Sequence, residues 1–135
     1  MSLLLREFKY MYEVEISTDF CAAHRLKDYR GKCERLHGHN YRVQVTARAD
    51  SPGKGGMVID FGELKKAARE VLERLDHTFL NDISPFDIIE PSAENLAAFI
   101  FDQVAAQLGD QSGKLHSVSV WESDTSRATY CKGEY

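Results

Sequence analysis

Three of the five histidines, His24, His37 and His39, lie within sixteen residues of one another. Residues two apart on a β-strand point to the same side, so His37 and His39 can both reach one ion, and Gly38 adds no side chain between them. Three neutral nitrogen ligands without a fourth fixed by spacing describe a zinc site with an open coordination position, which catalysis requires. The pattern predicts a catalytic zinc site. Ordinary polar loop histidines are the alternative.

The cysteines allow a second interpretation of the metal. Cys21 stands three residues before His24, as in half of a structural zinc site, and Cys33 is close in sequence. A closed tetrahedron using either thiol would hold the fold and catalyse nothing. Cys21 lies in an apolar stretch, where we expect a small buried thiol, and we expect the same of Cys131. Cys33 lies in a loop with several cations, which favour a reactive thiolate, although a merely exposed cysteine fits the local pattern equally well.

Alternating apolar and polar residues predict four strands, at 11–17, 40–49, 115–122 and 128–131. If the second strand continues backwards from Tyr41, His37 and His39 share its apolar face. Between the strand pairs, Asp60 and Ser92 are each followed by apolar residues at helical spacing. Two helices are therefore predicted, the second of them ending at Gly109.

The order of strand pair, two helices and strand pair predicts an α+β fold. Its simplest form is one antiparallel four-stranded sheet with both helices on one face. The 135 residues suit a single domain, 1–135. The strands at the edges of so small a sheet would be unpaired, which oligomerisation could remedy.

Charge and composition exclude some classes of partner. The formal net charge is −4, and the sequence lacks the basic stripe expected of a nucleic-acid binder. Its longest apolar runs fall far short of the ~20 residues of a membrane-spanning helix. Three widely spaced cysteines do not form a disulfide framework, so we expect a reduced, cytoplasmic setting.

The segment from Phe20 to Leu26 and the segment from Cys33 to Tyr41 together resemble the 6-pyruvoyltetrahydropterin synthase family, most of all its 6-carboxytetrahydropterin synthase branch of queuosine biosynthesis. The most specific feature is a cysteine followed, after three residues, by His-Gly-His. The likeness extends in order over most of the chain through 58–61, 75–77, 91–95 and Glu122.

The resemblance implies the tunnelling fold, in which oligomerisation joins the sheets of several subunits into a barrel. It also implies a homohexamer with active sites between subunits. Zinc is expected on His24, His37 and His39. Cys33 is expected to be the proton-transferring catalyst, Asp76 and His77 the accompanying relay, and Glu122 the carboxylate that anchors the pterin.

These expected roles agree with the chemistry of the residues. A carboxylate such as Glu122 can accept the two adjacent N–H groups of a pterin as a bidentate pair, although a solvated strand end is the simpler interpretation. Asp76 can fix the tautomer of His77 and raise its basicity. A cation at the end of the first helix is the structural alternative for His77.

The implied reaction is zinc-dependent conversion of 7,8-dihydroneopterin triphosphate to 6-carboxytetrahydropterin, acetaldehyde and triphosphate. The alternatives are a 6-pyruvoyltetrahydropterin synthase, a non-catalytic zinc or pterin-binding module and, less well supported, a zinc hydrolase. In the pyruvoyl branch the cysteine usually stands farther before His-Gly-His, so the spacing of Cys33 and His37 favours the carboxy branch.

Overall fold

The computed structural model of the chain describes residues 10–28, 31 and 34–133. Within them, five strands and two α-helices occur in an order that confirms the α+β prediction. In chain order the elements are β1 (Tyr12–His24), β2 (His37–Ala49), α1 (Phe61–Leu72), β3 (Thr78–Phe79), α2 (Ala93–Leu108), β4 (Leu115–Ser123) and β5 (Ser126–Cys131).

The sheet has the strand order β3-β1-β2-β4-β5 and is mixed, so the prediction of four antiparallel strands was wrong in one respect. The additional strand β3 lies parallel to β1 and pairs only with Ala22 and Ala23. Two residues are too few to leave an alternating pattern in the sequence, and only the tertiary contact defines this strand. The other four strands are antiparallel as predicted.

The strands β1 and β2 run farther than the alternation suggests, and this extension positions the histidines. Their antiparallel register pairs Tyr12 with Ala49 at one end and His24 with His37 at the other. The second pair of strands meets at a two-residue turn between Ser123 and Ser126. The predicted continuation of the second strand back to His37 is confirmed.

Both helices begin at the predicted caps and cover one face of the sheet. The Asp60 carboxylate accepts the Gly62 N–H at 2.6 Å, and the Ser92 hydroxyl accepts the Asn95 N–H at 3.2 Å. Helix α2 ends at Gly109, whose φ of 57° suits glycine. The helices pack against each other, with α1 also on β1 and α2 also on β4 and β5.

The opposite face of the sheet carries polar and charged side chains. Across β2, β4 and β5, one row places Trp121 between Arg42 and Arg127. The guanidinium carbons of these arginines lie 4.5 and 5.5 Å from the indole centroid. The indole N–H of Trp121 donates to the Gln44 amide oxygen at 2.7 Å, which helps to hold the ring in place.

Among the helices of the described residues, none has both the length and the apolar character required to cross a bilayer.

Candidate metal centre

The three histidines converge where β1 ends and β2 begins. His24 pairs with His37 in the register of the two strands, and Ala22 pairs with His39, so the three imidazoles share the helix-covered side of the sheet. The Nε2 atom of His24 lies 2.9 Å from that of His37 and 3.1 Å from that of His39. His24 is buried and the other two rings are half-buried.

Backbone carbonyls fix the tautomers of these rings. The Nδ1 of His24 lies 2.7 Å from the Pro91 carbonyl oxygen, and the Nδ1 of His37 lies 2.6 Å from that of Arg35. Since a carbonyl only accepts hydrogen bonds, both Nδ1 atoms must carry the hydrogen. The His39 ring also makes a hydrogen bond to the Glu122 backbone. In the neutral rings of His24 and His37, Nε2 therefore presents a lone pair to its neighbour.

Burial favours the neutral form of the His24 and His39 rings. It lowers the pKa of His24 and of His39, and the neighbouring histidines lower both further, while the Glu122 carboxylate opposes the shift. Lone pairs directed at one another repel unless a cation lies between them. Nitrogen ligands on one zinc ion at ~2.0–2.1 Å stand ~3.4 Å apart, somewhat wider than the 2.9 and 3.1 Å from His24 to the other two rings. The three side chains could thus hold one metal ion, and their donor set suits zinc.

Glu122 lies at the end of β4, beside the histidines. Its negative charge partly offsets the lowering of the pKa of His24 and His39. Burial raises the pKa of Tyr41, and the Glu122 charge adds to that rise. Glu122 also lines a cavity of about 550 Å³ between the β4–β5 turn and the start of α2. The cavity can admit a small heteroaromatic ligand whose N–H groups face this carboxylate.

Tyr41 is a site residue that sequence reasoning assigned only to the strand. It is fully buried, its ring stacks on Phe20 at 4.7 Å, and its hydroxyl lies 3.2 Å from the Nδ1 of His24. The signal in the sequence was its position two residues after His39, on the same face of β2. Metal-binding histidines are commonly oriented by such partners.

Asp76 and His77 form a pair at the edge of β1. The Nδ1 of His77 lies 3.0 Å from Oδ1 of Asp76, and the same oxygen accepts the Cys21 N–H at 2.9 Å. The His77 N–H donates to the Cys21 carbonyl at 2.6 Å. The backbone hydrogen bond from Cys21 is the main cause that lowers the pKa of Asp76. His77 has a φ of 58°, an uncommon conformation outside glycine that is often found at functional sites.

The predictions for the three cysteines have different outcomes. Cys33 lies outside the described residues, so its role stays a prediction. Cys21 and Cys131 are exposed, and the expectation of buried thiols was wrong for both. Cys21 occupies the strand position that faces away from His24, because adjacent strand residues alternate between faces. It therefore contributes no ligand to the three histidines, which removes one route to a closed tetrahedral site.

A loop before α2 holds the segment that follows His24. The Glu90 carboxylate accepts the Lys27 N–H at 2.8 Å, and the Asn95 amide donates to the Glu90 carbonyl at 2.8 Å. Asn95 is itself placed by the helix cap at Ser92. Sequence reasoning used this segment only for its helix start and its family likeness, and the hydrogen bonds that position Pro91 against His24 were not visible in it.

The fold and the site together define an α+β protein with an open three-histidine centre beside a carboxylate-lined cavity. The chain matches the family model described as 6-pyruvoyl tetrahydropterin synthase over residues 13–133. It therefore belongs to this family of tetrahydropterin synthases, as the motifs predicted.

Individual relatives carry both names of the family. A 6-carboxy-5,6,7,8-tetrahydropterin synthase of Synechocystis is 39% identical over 82% of this chain and 86% of that protein. The human 6-pyruvoyl tetrahydrobiopterin synthase is 34% identical over 90% of this chain and 92% of that protein. The structure of the Caenorhabditis elegans 6-pyruvoyl tetrahydropterin synthase superposes with a TM-score of 0.83 and 30% identity, covering 93% of this chain and 98% of that one.

Proposed function

We propose that this chain is a zinc-dependent lyase of the 6-carboxytetrahydropterin synthase type, acting in queuosine biosynthesis. With the uptake of one water, it would convert 7,8-dihydroneopterin triphosphate to 6-carboxy-5,6,7,8-tetrahydropterin, acetaldehyde and triphosphate. The observation that carries the proposal is the convergence of the His24, His37 and His39 Nε2 atoms. The spacing of Cys33 and His37, together with the carboxy-type relatives, supports this branch of the family.

The three histidines would hold the zinc and leave a coordination position open. When bound, zinc supplies Lewis acidity to a side-chain oxygen of the pterin substrate, which makes the neighbouring C–H more acidic. The backbone carbonyls of Pro91 and Arg35 orient two of the rings, so little reorganisation is needed on binding.

Glu122 would fix the pterin ring in the cavity beside the metal. Its carboxylate can accept the ring amide N–H and the exocyclic amine together. The triphosphate would lie towards Arg25 and Arg35, which line a cavity of about 830 Å³.

Cys33 and His77 would move the protons, with Asp76 holding the tautomer of His77. The lowered pKa of Asp76 keeps its carboxylate charged as an acceptor for the His77 Nδ1–H, which leaves Nε2 as the base. Within the described residues, no hydrogen bond links this pair to the three histidines. We infer that this pair serves the metal centre of a second subunit, as expected for a homohexamer whose sheets join into a barrel.

The test is product analysis by mass spectrometry after zinc-loaded protein is incubated with 7,8-dihydroneopterin triphosphate. We expect 6-carboxytetrahydropterin and acetaldehyde in equal amounts, with the Cys33→Ala variant inactive but still zinc-loaded. A 6-pyruvoyl product would reassign the chain to the other branch. Unchanged substrate in the presence of bound zinc would contradict the proposal that this chain is a synthase.

A further inference from the structure

Asn81 is a buried polar side chain without a role in the proposed reaction. Among the described residues, only two other polar side chains are buried, those of His24 and Ser119. Its amide makes two hydrogen bonds to a single residue. The Oδ1 atom accepts the Arg25 N–H at 2.9 Å, and Nδ2 donates to the Arg25 carbonyl at 3.0 Å.

This amide continues the pairing of β1 after β3 has ended. The backbone of β3 pairs with Ala22 and Ala23, and His24 is the last residue of β1. Asn81 follows two residues after Phe79, and its side chain presents one donor and one acceptor, as a peptide group does. The residues on both sides of His24 are thereby tied to the same flank, one through the backbone of β3 and the other through Asn81.

The position of His24 makes this attachment important. His24 is the central member of the three, since its Nε2 is the atom that approaches both others. Strand ends are among the first parts of a fold to unfold locally. If the end of β1 opened, the His24 ring would move away from His37 and His39. Groups that hold a metal ligand in place without touching the metal commonly change metal affinity by about 10–100-fold when they are removed.

We propose that Asn81 is a positioning residue that sets the metal affinity of the three-histidine centre by holding Arg25, and with it His24, in place. The inference rests on the metal site of the proposed function. It assigns a role to a side chain outside the ligands, the substrate cavity and the proton relay.

Two variants test the role of Asn81. Asn81→Leu removes both hydrogen bonds at similar volume, whereas Asn81→Asp keeps the size and can accept the Arg25 N–H but cannot donate to its carbonyl. The matched control is Ser119→Ala, because Ser119 is also buried and hydrogen-bonded, at 2.7 Å to Thr129, and faces away from the histidines. Circular dichroism and thermal unfolding of each metal-free variant establish that it is folded at the assay temperature.

The measurements are zinc affinity by competition with a chromophoric chelator and the visible absorption spectrum of the cobalt(II)-loaded protein. We expect Asn81→Leu to weaken zinc binding by about 10–100-fold and to shift the cobalt bands, while Ser119→Ala leaves both as in the wild type. Asn81→Asp should also weaken zinc binding. If Asn81→Leu does not fold, the zinc affinity of Asn81→Asp tests the role of Asn81 alone.

A folded Asn81 variant with wild-type zinc affinity and an unchanged cobalt spectrum would overturn the inference and leave the metal site intact. Wild-type protein that binds no zinc would instead overturn the metal site of the proposed function. The two failures are therefore distinguishable.

Discussion

The three-histidine centre and the Asp76–His77 pair both adjoin the end of β1, yet they are constructed differently. The histidines are buried or half-buried, and backbone carbonyls of the same chain orient the rings of His24 and His37. The His77 side chain is 80% exposed, and the partners that orient the pair, Asp76 itself and the backbone of Cys21, lie on one side of it.

The difference concerns what each region requires from outside the chain. The histidines need only a cation, since their geometry is complete within one subunit. The exposed ring of His77 is oriented by its own chain and, together with His39 and Thr78, lines an open cavity of about 410 Å³. It lies beside the free edge of β1, where β3 covers only Ala22 and Ala23 among the described residues. In the proposed hexamer, we expect a neighbouring subunit at that edge to bring its metal centre to this ring.

The largest effect is expected from His39→Ala. Loss of one of three ligands should reduce zinc affinity by more than about 100-fold and abolish turnover, because two imidazoles cannot hold the ion in an open site. Metal content after dialysis against a weak chelator measures this. Retention of one zinc per chain would show that the metal lies elsewhere.

His77→Ala should affect turnover but not metal. We expect kcat to fall by about 10²–10⁴-fold, the usual contribution of a general acid or base, with unchanged zinc content. Steady-state kinetics and metal analysis of the same preparation measure both. A parallel loss of zinc would contradict the separation between the two regions.

Mixing the two inactive variants sharpens the comparison. If the histidines and His77 of one active site come from different subunits, hybrid oligomers of His39→Ala and His77→Ala regain part of the activity. If a single chain supplies both, the hybrids stay inactive. The His39→Ala and His77→Ala homo-oligomers, dissociated and reassembled in the same way, are the controls.

Glu122→Gln should chiefly weaken substrate binding. Replacing a carboxylate acceptor removes a charge-assisted pair worth ~1.5–3 kcal/mol, which corresponds to a rise in KM of roughly 10–100-fold. The variant should still bind zinc, because Glu122 is not one of the converging nitrogen ligands. An unchanged KM would exclude this carboxylate as the pterin anchor.

The metal-free protein should lose stability as the pH falls below about 6.5, the ordinary pKa of histidine. Burial lowers the pKa of His24 and His39 in the folded state, so the unfolded chain takes up protons first. The stability is therefore full above about 6.5 and declines as the pH falls towards the lowered values. Thermal unfolding at pH 7.5 and 5.5 measures this, and the decline should be smaller in His24→Gln.

Gly38→Ala should have the smallest effect. A Cβ atom on Gly38 would lie 3.6 Å from the Ala22 carbonyl oxygen, an ordinary contact. We expect zinc affinity within about twofold of the wild type, because the new methyl group faces away from the metal. A large loss would mean that glycine is required there for a reason other than space.

The sequence predicted those parts of the molecule that follow from short-range patterns. The alternation through Tyr41 placed His37 and His39 on the apolar face, and Asp60 and Ser92 marked both helix starts. Strand β3 and the position of Asn81 depend on contacts between residues far apart in the chain, which leave no period in the sequence. The extension of β1 to His24 was not predicted. Asp19 and Cys21 both lie on the exposed side of the strand, but only Asp19 is charged, so the alternation of apolar and polar residues is broken at Cys21.

Trp121 gives the molecule an optical reporter. It is the single tryptophan of the chain, it directly precedes Glu122 on the opposite face of β4, and its ring contacts Arg42 and Arg127. Its emission therefore originates from one environment, one residue away from the carboxylate proposed to bind the pterin. A bound heteroaromatic ring would quench this fluorescence, so ligand affinity can be titrated in the native protein without a label and without turnover.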